Sequence, residues 1–204
     1  FYKKKLKPKN FLINSYASAN IAKLHNLKNQ IKAESLRMIN FKHQFTKIKN
    51  KKMNIFVALD FFDDSSRKLV SIINQNVDKF NHIGKIYIKK HPASRNEYYF
   101  NSKKIHLYDN SIKSILPKID LFIASNSTTA VYYATFNRIP YITYIDNSSI
   151  NLSPLYPKKI SFFYDNNSFS QSIKNFTFDK NFHNDYYLHS NTNLNKWSIF
   201  LNKF

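Results

Sequence analysis

Two short stretches carry side chains whose types and spacing suit binding chemistry: Lys89-Lys90-His91-Pro92 and Ser125-Asn126-Ser127-Thr128-Thr129. Each directly follows a run rich in β-formers, Lys85-Ile86-Tyr87-Ile88 for the first and Asp120-Leu121-Phe122-Ile123-Ala124 for the second. Open α/β sheets bind ligands where strands end and turns or helices begin. Cationic and imidazole donors beside a hydroxyl-rich turn match the oxygens of a phosphate. His91 can donate to such an oxygen, more strongly when protonated. Pro92 fixes the turn after it. Lys89 and Lys90 alternate faces, so one of them can share the site. Ser127 or Thr128 is predicted to cap a helix over 127–137, whose free first-turn amides would add partial positive charge. The chain has a single glycine, so a glycine-rich phosphate cradle is excluded.

The elements that must hold these residues follow from apolar spacing. A short strand is expected at 11–14, with helices at 18–26 and 31–42, the second from Ile31, Ser35, Met38 and Ile39 at helical intervals. Residues 46–52 read as a charged linker. Met53 to Leu59 is a buried-type strand. Asp63, Asp64 and Ser65 supply N-cap chemistry for a helix carrying Leu69, Ile72, Ile73 and Val77. Gly84 is placed where that helix region stops. Strands are expected at 85–90, 105–107, 121–124, 141–145 and 160–163, and helices at 111–116, 127–137, 167–176 and about 192–203. Residues 146–159 read as a loop. Strands alternating with helices predict an α/β fold, a Rossmann-like parallel sheet flanked by helices.

The composition narrows the classes. The chain has 204 residues, is 43% apolar, and has no cysteine, which excludes disulfides and thiolate metal sites. The net charge of +20 comes almost wholly from lysine, with arginine only at 37, 67, 95 and 138. Sequence-reading nucleic-acid proteins favour arginine for bidentate base contacts, so no specific nucleic acid is expected. Excess lysine reads mainly as a solvated face, with attraction to an anionic membrane surface as the lesser reading. No apolar run approaches the ~20 residues that span a bilayer. The chain begins at Phe1, and it is expected to be a piece of a longer protein.

Taken together, His91-Pro92 and the Ser127-Thr128 pair resemble the nucleotide-binding C-terminal half of GT-B glycosyltransferases that build bacterial surface polysaccharides (capsule and lipopolysaccharide). The likeness is to sialyl-, polysialyl- and Kdo-transferases that use CMP-sugars, and it covers about residues 30–146. A segment like Glu34-Ser35-Leu36-Arg37, a strand ending in Asp60, and a Pro-led strand at Ile139-Pro140-Tyr141-Ile142 take part in it. The resemblance implies that His91, Ser127 and Thr128, with Pro92, Lys89, Lys90 and Ser125 around them, bind the phosphate of CMP. Where such proteins often carry an acidic residue for ribose, this chain has Tyr132 and Tyr133; Arg138 replaces a small residue.

The implied reaction is transfer of a sugar from a CMP-sugar to a lipid-linked or polysaccharide acceptor, without metal or other cofactor. Preorganised donors would stabilise the charge left on departing CMP. A general base must take the acceptor proton, and in such enzymes it usually lies in the other domain. Asp60 is the one candidate here. The expected layout is 1–50 as a residue of the N-terminal domain and linker, 51–180 as the nucleotide domain, and 181–204 as a tail helix packing back toward the missing domain. The location implied is cytoplasmic, with peripheral association at the inner face of the membrane. Two alternatives stand beside this: a CDP-glycerol glycerophosphotransferase-like polymerase domain, and a non-catalytic basic α/β module binding an anionic polymer or membrane.

Overall fold

The computed structural model describes residues 10–41, 44–154, 162–175, 191 and 193–202. The chain divides into two compact units, one of residues 42–180 and one of residues 1–41 with 181–204.

The larger unit is built on a six-stranded, wholly parallel sheet. Its strands are β3 (Met53–Ala58), β4 (Ile83–Lys89), β5 (Ile105–Leu107), β6 (Leu121–Ser125), β7 (Tyr141–Tyr144) and β8 (Phe162–Phe163), in the spatial order β5-β4-β3-β6-β7-β8. Three helices lie between them, α2 (Asp63–Asn76), α3 (Ile112–Ile115) and α4 (Val131–Phe136), and α5 (Asn166–Asn175) follows β8. This is the Rossmann-like α/β class expected from the alternation. Successive residues Ile55, Phe56 and Val57 of the central strand are all fully buried, as are Leu121, Phe122 and Ile123 of its neighbour, so both sheet faces are covered. On one face Ile55, Val57, Leu121, Ile123 and Ile142 share a core with Leu69 and Ile73 of α2 and Phe169 and Ile173 of α5.

Three expectations fail in this unit. Gly84 does not end a helix; it is the second residue of β4. Its reason is room: a Cβ there would stand 2.7 Å from Asn54 Oδ1 and 3.1 Å from Lys52 Cβ. The helix after β6 begins at Val131, not at 127, and its N-cap is Ala130 with no side-chain cap. Residues 126–130 are instead taken up by turns, with Thr128 N–H donating to Ser125 O (3.3 Å) and Tyr132 N–H to Thr129 O (3.1 Å). Asp63 and Asp64 likewise lie inside the first turn of α2, whose N-cap is Phe62. Their charge there still complements the helix dipole. Residues 155–161 of the expected loop and strand fall outside the described residues.

The smaller unit contains β1 (Phe11–Ile13) paired in parallel with β2 (Gln30–Lys32), joined through α1 (Tyr16–Leu24). Ser15 caps α1 by accepting from Ser18 N–H at 2.9 Å. The helix expected over 31–42 is not formed. Ile31 pairs with Leu12 in the strand ladder, and only Leu36–Phe41 turns, as a 3₁₀ helix. Pairing with β1 overrides the helical spacing. The tail helix is α6 (Asn195–Leu201). Buried Glu34 caps it, accepting from Lys196 N–H (3.0 Å) and Trp197 N–H (3.2 Å), while the Trp197 indole N–H donates to Glu34 O at 2.8 Å.

Candidate functional site

The strand order makes one place on the sheet distinctive. From β3 the chain builds outward through β4 and β5, then crosses back to lay β6 on the other side of β3. Ala58 stands in register with Ala124 across that seam. In sheets of this kind the crevice beyond the carboxyl ends of the two strands at the reversal is the ligand position. Asp60 follows β3 there, and Ser125 to Thr128 follow β6.

Asp60 is almost completely buried, at 1% exposure. Its Oδ1 accepts from Phe62 N–H (2.9 Å) and Ser66 Oγ–H (3.2 Å), which shapes the turn from β3 into α2. Oδ2 has no hydrogen-bond partner of regular geometry. Burial raises the carboxyl above its ordinary range; Phe62, Ser66 and the amide and hydroxyl of Ser127 each pull it part of the way back. Ser127 thus faces this carboxyl. A side chain so enclosed has no open path to an acceptor hydroxyl, and its contacts are those of a group that holds the crevice in shape.

His91 follows β4, the neighbour of β3 on the other side. Its Nδ1 accepts from Ala93 N–H at 3.2 Å, leaving Nε2 as the donor. The imidazole packs edge-on against Phe61, the residue after Asp60, with ring centroids 5.7 Å apart. Pro92 lies in the turn closed by Ser94 N–H to His91 O at 2.9 Å. Lys89 donates to the carbonyls of Asp109 (3.2 Å) and Asn110 (2.9 Å), and Lys90 to that of Asn96 (3.2 Å). Both ammonium groups therefore tie neighbouring loops to the rim. Thr128 Oγ1 accepts from Ala130 N–H at 3.3 Å. Ser125 Oγ is buried and unpartnered.

Three residues here carry no role expected from the sequence. Asn126 is buried and clamps the following loop, donating to Ile150 O (2.7 Å) and accepting from Leu152 N–H (2.8 Å). Asp146, just beyond β7, pairs with Lys68 of α2 at 2.6 Å and accepts from the amide and hydroxyl of Ser148. Tyr144 is buried beside both acids: burial pushes its phenol up to about 12, with Asp146 and Asp60 adding to the rise. Asp146 follows an apolar strand just as Asp60 does, so its position was open to the same reasoning.

A cavity of about 350 Å³ opens at this rim, with Lys68, Tyr144, Asp146, Tyr164 and Asp165 in its wall. A larger one, about 470 Å³, lies at the opposite, amino end of β6 and β7 beside Asp120, Arg138 and Pro140. The polar groups described above converge at the carboxyl end, so the larger volume does not mark the candidate site. Among the described residues no helix is long and apolar enough to cross a membrane.

No protein-family model matches the sequence, and no curated protein does. Solved structures do match the fold. The accessory secretory protein 1,2 and 3 structure from Streptococcus pneumoniae superposes with a TM-score of 0.51 at 14% identity, over 82% of this chain and 36% of that one. The GtfA/B complex gives 0.50 at 11% identity, over 80% and 37%. The glycosyltransferase SnogD from Streptomyces nogalater gives 0.41 at 8% identity, over 62% and 43%. The chain thus spans well under half the length of these structures. What the likeness carries is the fold, a Rossmann-like α/β arrangement around a parallel sheet.

Proposed function

We propose that this chain is the donor-nucleotide-binding part of a GT-B glycosyltransferase that takes sugar from a CMP-sugar and adds it to a surface glycan of a bacterium. One observation carries the reading. His91 and Ser127 follow the two strands that flank β3, and both adjoin the Asp60–Phe61 pair at its end. In this reading Nε2 of His91 and the hydroxyls and turn amides of Ser127 and Thr128 bind the donor phosphate. Charge on CMP grows as the glycosidic bond breaks, so these donors act most strongly in the transition state. Helix α4 is short and starts late, so the hydroxyl groups and turn amides carry more of this role than a helix dipole. The general base would come from outside residues 42–180, and turnover would need it. Membrane proximity through lysine charge and a lipid-linked acceptor belong to the same proposal.

Thermal unfolding with and without CMP tests it. At about 100 times the dissociation constant, a specific ligand raises the midpoint by about 5–10 °C. The shift is expected in the wild type and absent in His91→Ala. Equal shifts in both would remove His91 from the site, and no shift with any cytidine nucleotide would remove the proposal. A larger shift with CDP than with CMP would favour the glycerophosphotransferase-like alternative.

A further inference from the structure

We infer that anion binding at the Ser125–Thr128 turn is coupled to protonation of Asp60. The inference rests on the phosphate reading above and adds to it a regulating residue. Asp60 is buried, one of its oxygens is committed to Phe62 and Ser66, and the other is left without a regular partner. The Ser127 amide and hydroxyl that would hold a phosphate already face this carboxyl. Ionised Asp60 therefore sets a negative charge, from within the protein, against the donors that the ligand needs. Neutral Asp60 removes that charge, and with it the repulsion on an arriving anion.

The surrounding charges do not relieve the conflict. Among the described residues no cation pairs with Asp60. Lys68, on the same helix as Ser66, is held by Asp146 at 2.6 Å. Asp63 and Asp64, the nearest acids along the chain, lie in the first turn of α2 and bring no positive charge to it. Tyr144 stays neutral. His91, beyond Phe61, is the titratable group on the β4 side, and it favours an anion when protonated. At an effective dielectric of about 20, two unit charges ~5 Å apart repel by enough to weaken binding on the order of 100-fold. An anion at the turn therefore draws a proton onto Asp60, and affinity falls as pH rises.

Dimethyl phosphate, whose charge is constant between pH 5 and 8, serves as the probe alongside CMP. Calorimetric titrations across that range, in buffers of different ionisation enthalpy, measure affinity and proton uptake together. The wild type is expected to lose affinity with rising pH and to take up protons on binding. Asp60→Asn should bind at least about tenfold more tightly than the wild type at pH 8 and show a flatter profile. The comparison is repeated in His91→Gln, which removes the imidazole; the Asp60 component should persist there and should vanish in the double variant. Asp60 carboxyl carbon NMR provides a second readout that needs no variant, and the probe should shift its titration upward. Parallel pH profiles for wild type and Asp60→Asn, or an Asp60 titration unmoved by a bound probe, overturn the coupling and leave the phosphate site standing. Absence of binding at every pH overturns both.

Discussion

Asp60 and Ser127 face each other across the seam between β3 and β6, an acid set against the hydroxyl and amide best placed to bind an anion. Asp60 sits there at a cost. Because burial raises its folded-state pKa above the unfolded one, neutral Asp60 supports the fold fully at low pH. That support is lost as pH rises through the raised value. Such a group is retained for the geometry it imposes, here the turn that presents Phe61 to His91.

Acid stability should depend on Asp146. The Lys68 ammonium, then the Ser148 amide, hold its carboxyl down to about 2. The stabilisation is complete above the ordinary aspartate value of 3.8 and disappears as pH falls through about 2. Lys68 is half exposed, so solvent screening reduces the worth of the pair to about 1 kcal/mol. Urea midpoints for Lys68→Met should lie below the wild type at pH 6 and converge with it near pH 2.

Asn126→Ala should loosen the loop after β7. The change leaves Ile150 O and Leu152 N–H without their partner, a loss of about 1–2 kcal/mol. Hydrogen exchange at the Leu152 amide should quicken while amides of β3 stay protected. Asn126→Asp, which keeps the acceptor and loses the donor, should fall between.

Glu34→Ala should release the tail helix. Burial by itself pushes the Glu34 carboxyl up, but the amides of Lys196, Glu34 and Trp197 and the Lys196 ammonium together bring it below the ordinary 4.5. The capping is therefore present above that pH and weakens as pH falls below it. Trp197 is the single tryptophan, so its fluorescence reports the tail directly. The emission should shift to the red in Glu34→Ala at pH 7, and in the wild type only on acidification. Loss of the cap is worth about 1 kcal/mol.

Gly84→Ala should destabilise the larger unit by about 1–3 kcal/mol through crowding, since a methyl group there meets Asn54 Oδ1 at 2.7 Å. That oxygen accepts from Lys85 N–H at 3.0 Å, so it cannot move freely. A double-mutant cycle with Asn54→Ala should show a smaller penalty for the alanine at 84. Equal penalties in both backgrounds would place the cost elsewhere.

Much of the fold could be read from residue patterns. The runs 55–58 and 121–124 are apolar on both faces, and only a strand sandwiched between helices satisfies that pattern. Leu69, Ile72 and Ile73 place the apolar stripe of α2 just as clearly. Segments without such a pattern were read less well. Ile31, Ser35, Met38 and Ile39 fit a helix by spacing, yet Ile31 joins β1 because a partner 19 residues earlier offers it a ladder. Ser127 and Thr128 look like helix caps by type, but the chain spends four more residues in turns before α4 begins.

The sequence alone determined the strands and the chemical groups at their ends, because local propensity and burial period are properties of neighbouring residues. It also determined that any phosphate site here must use side chains and turn amides, since one glycine cannot build a cradle. Tertiary structure decided which of those groups meet. The crossing from β5 back to β6 sets Ser127 beside Asp60 and brings Asp146 to Lys68. Strand order follows from the packing of whole elements, and no local window of residues encodes it.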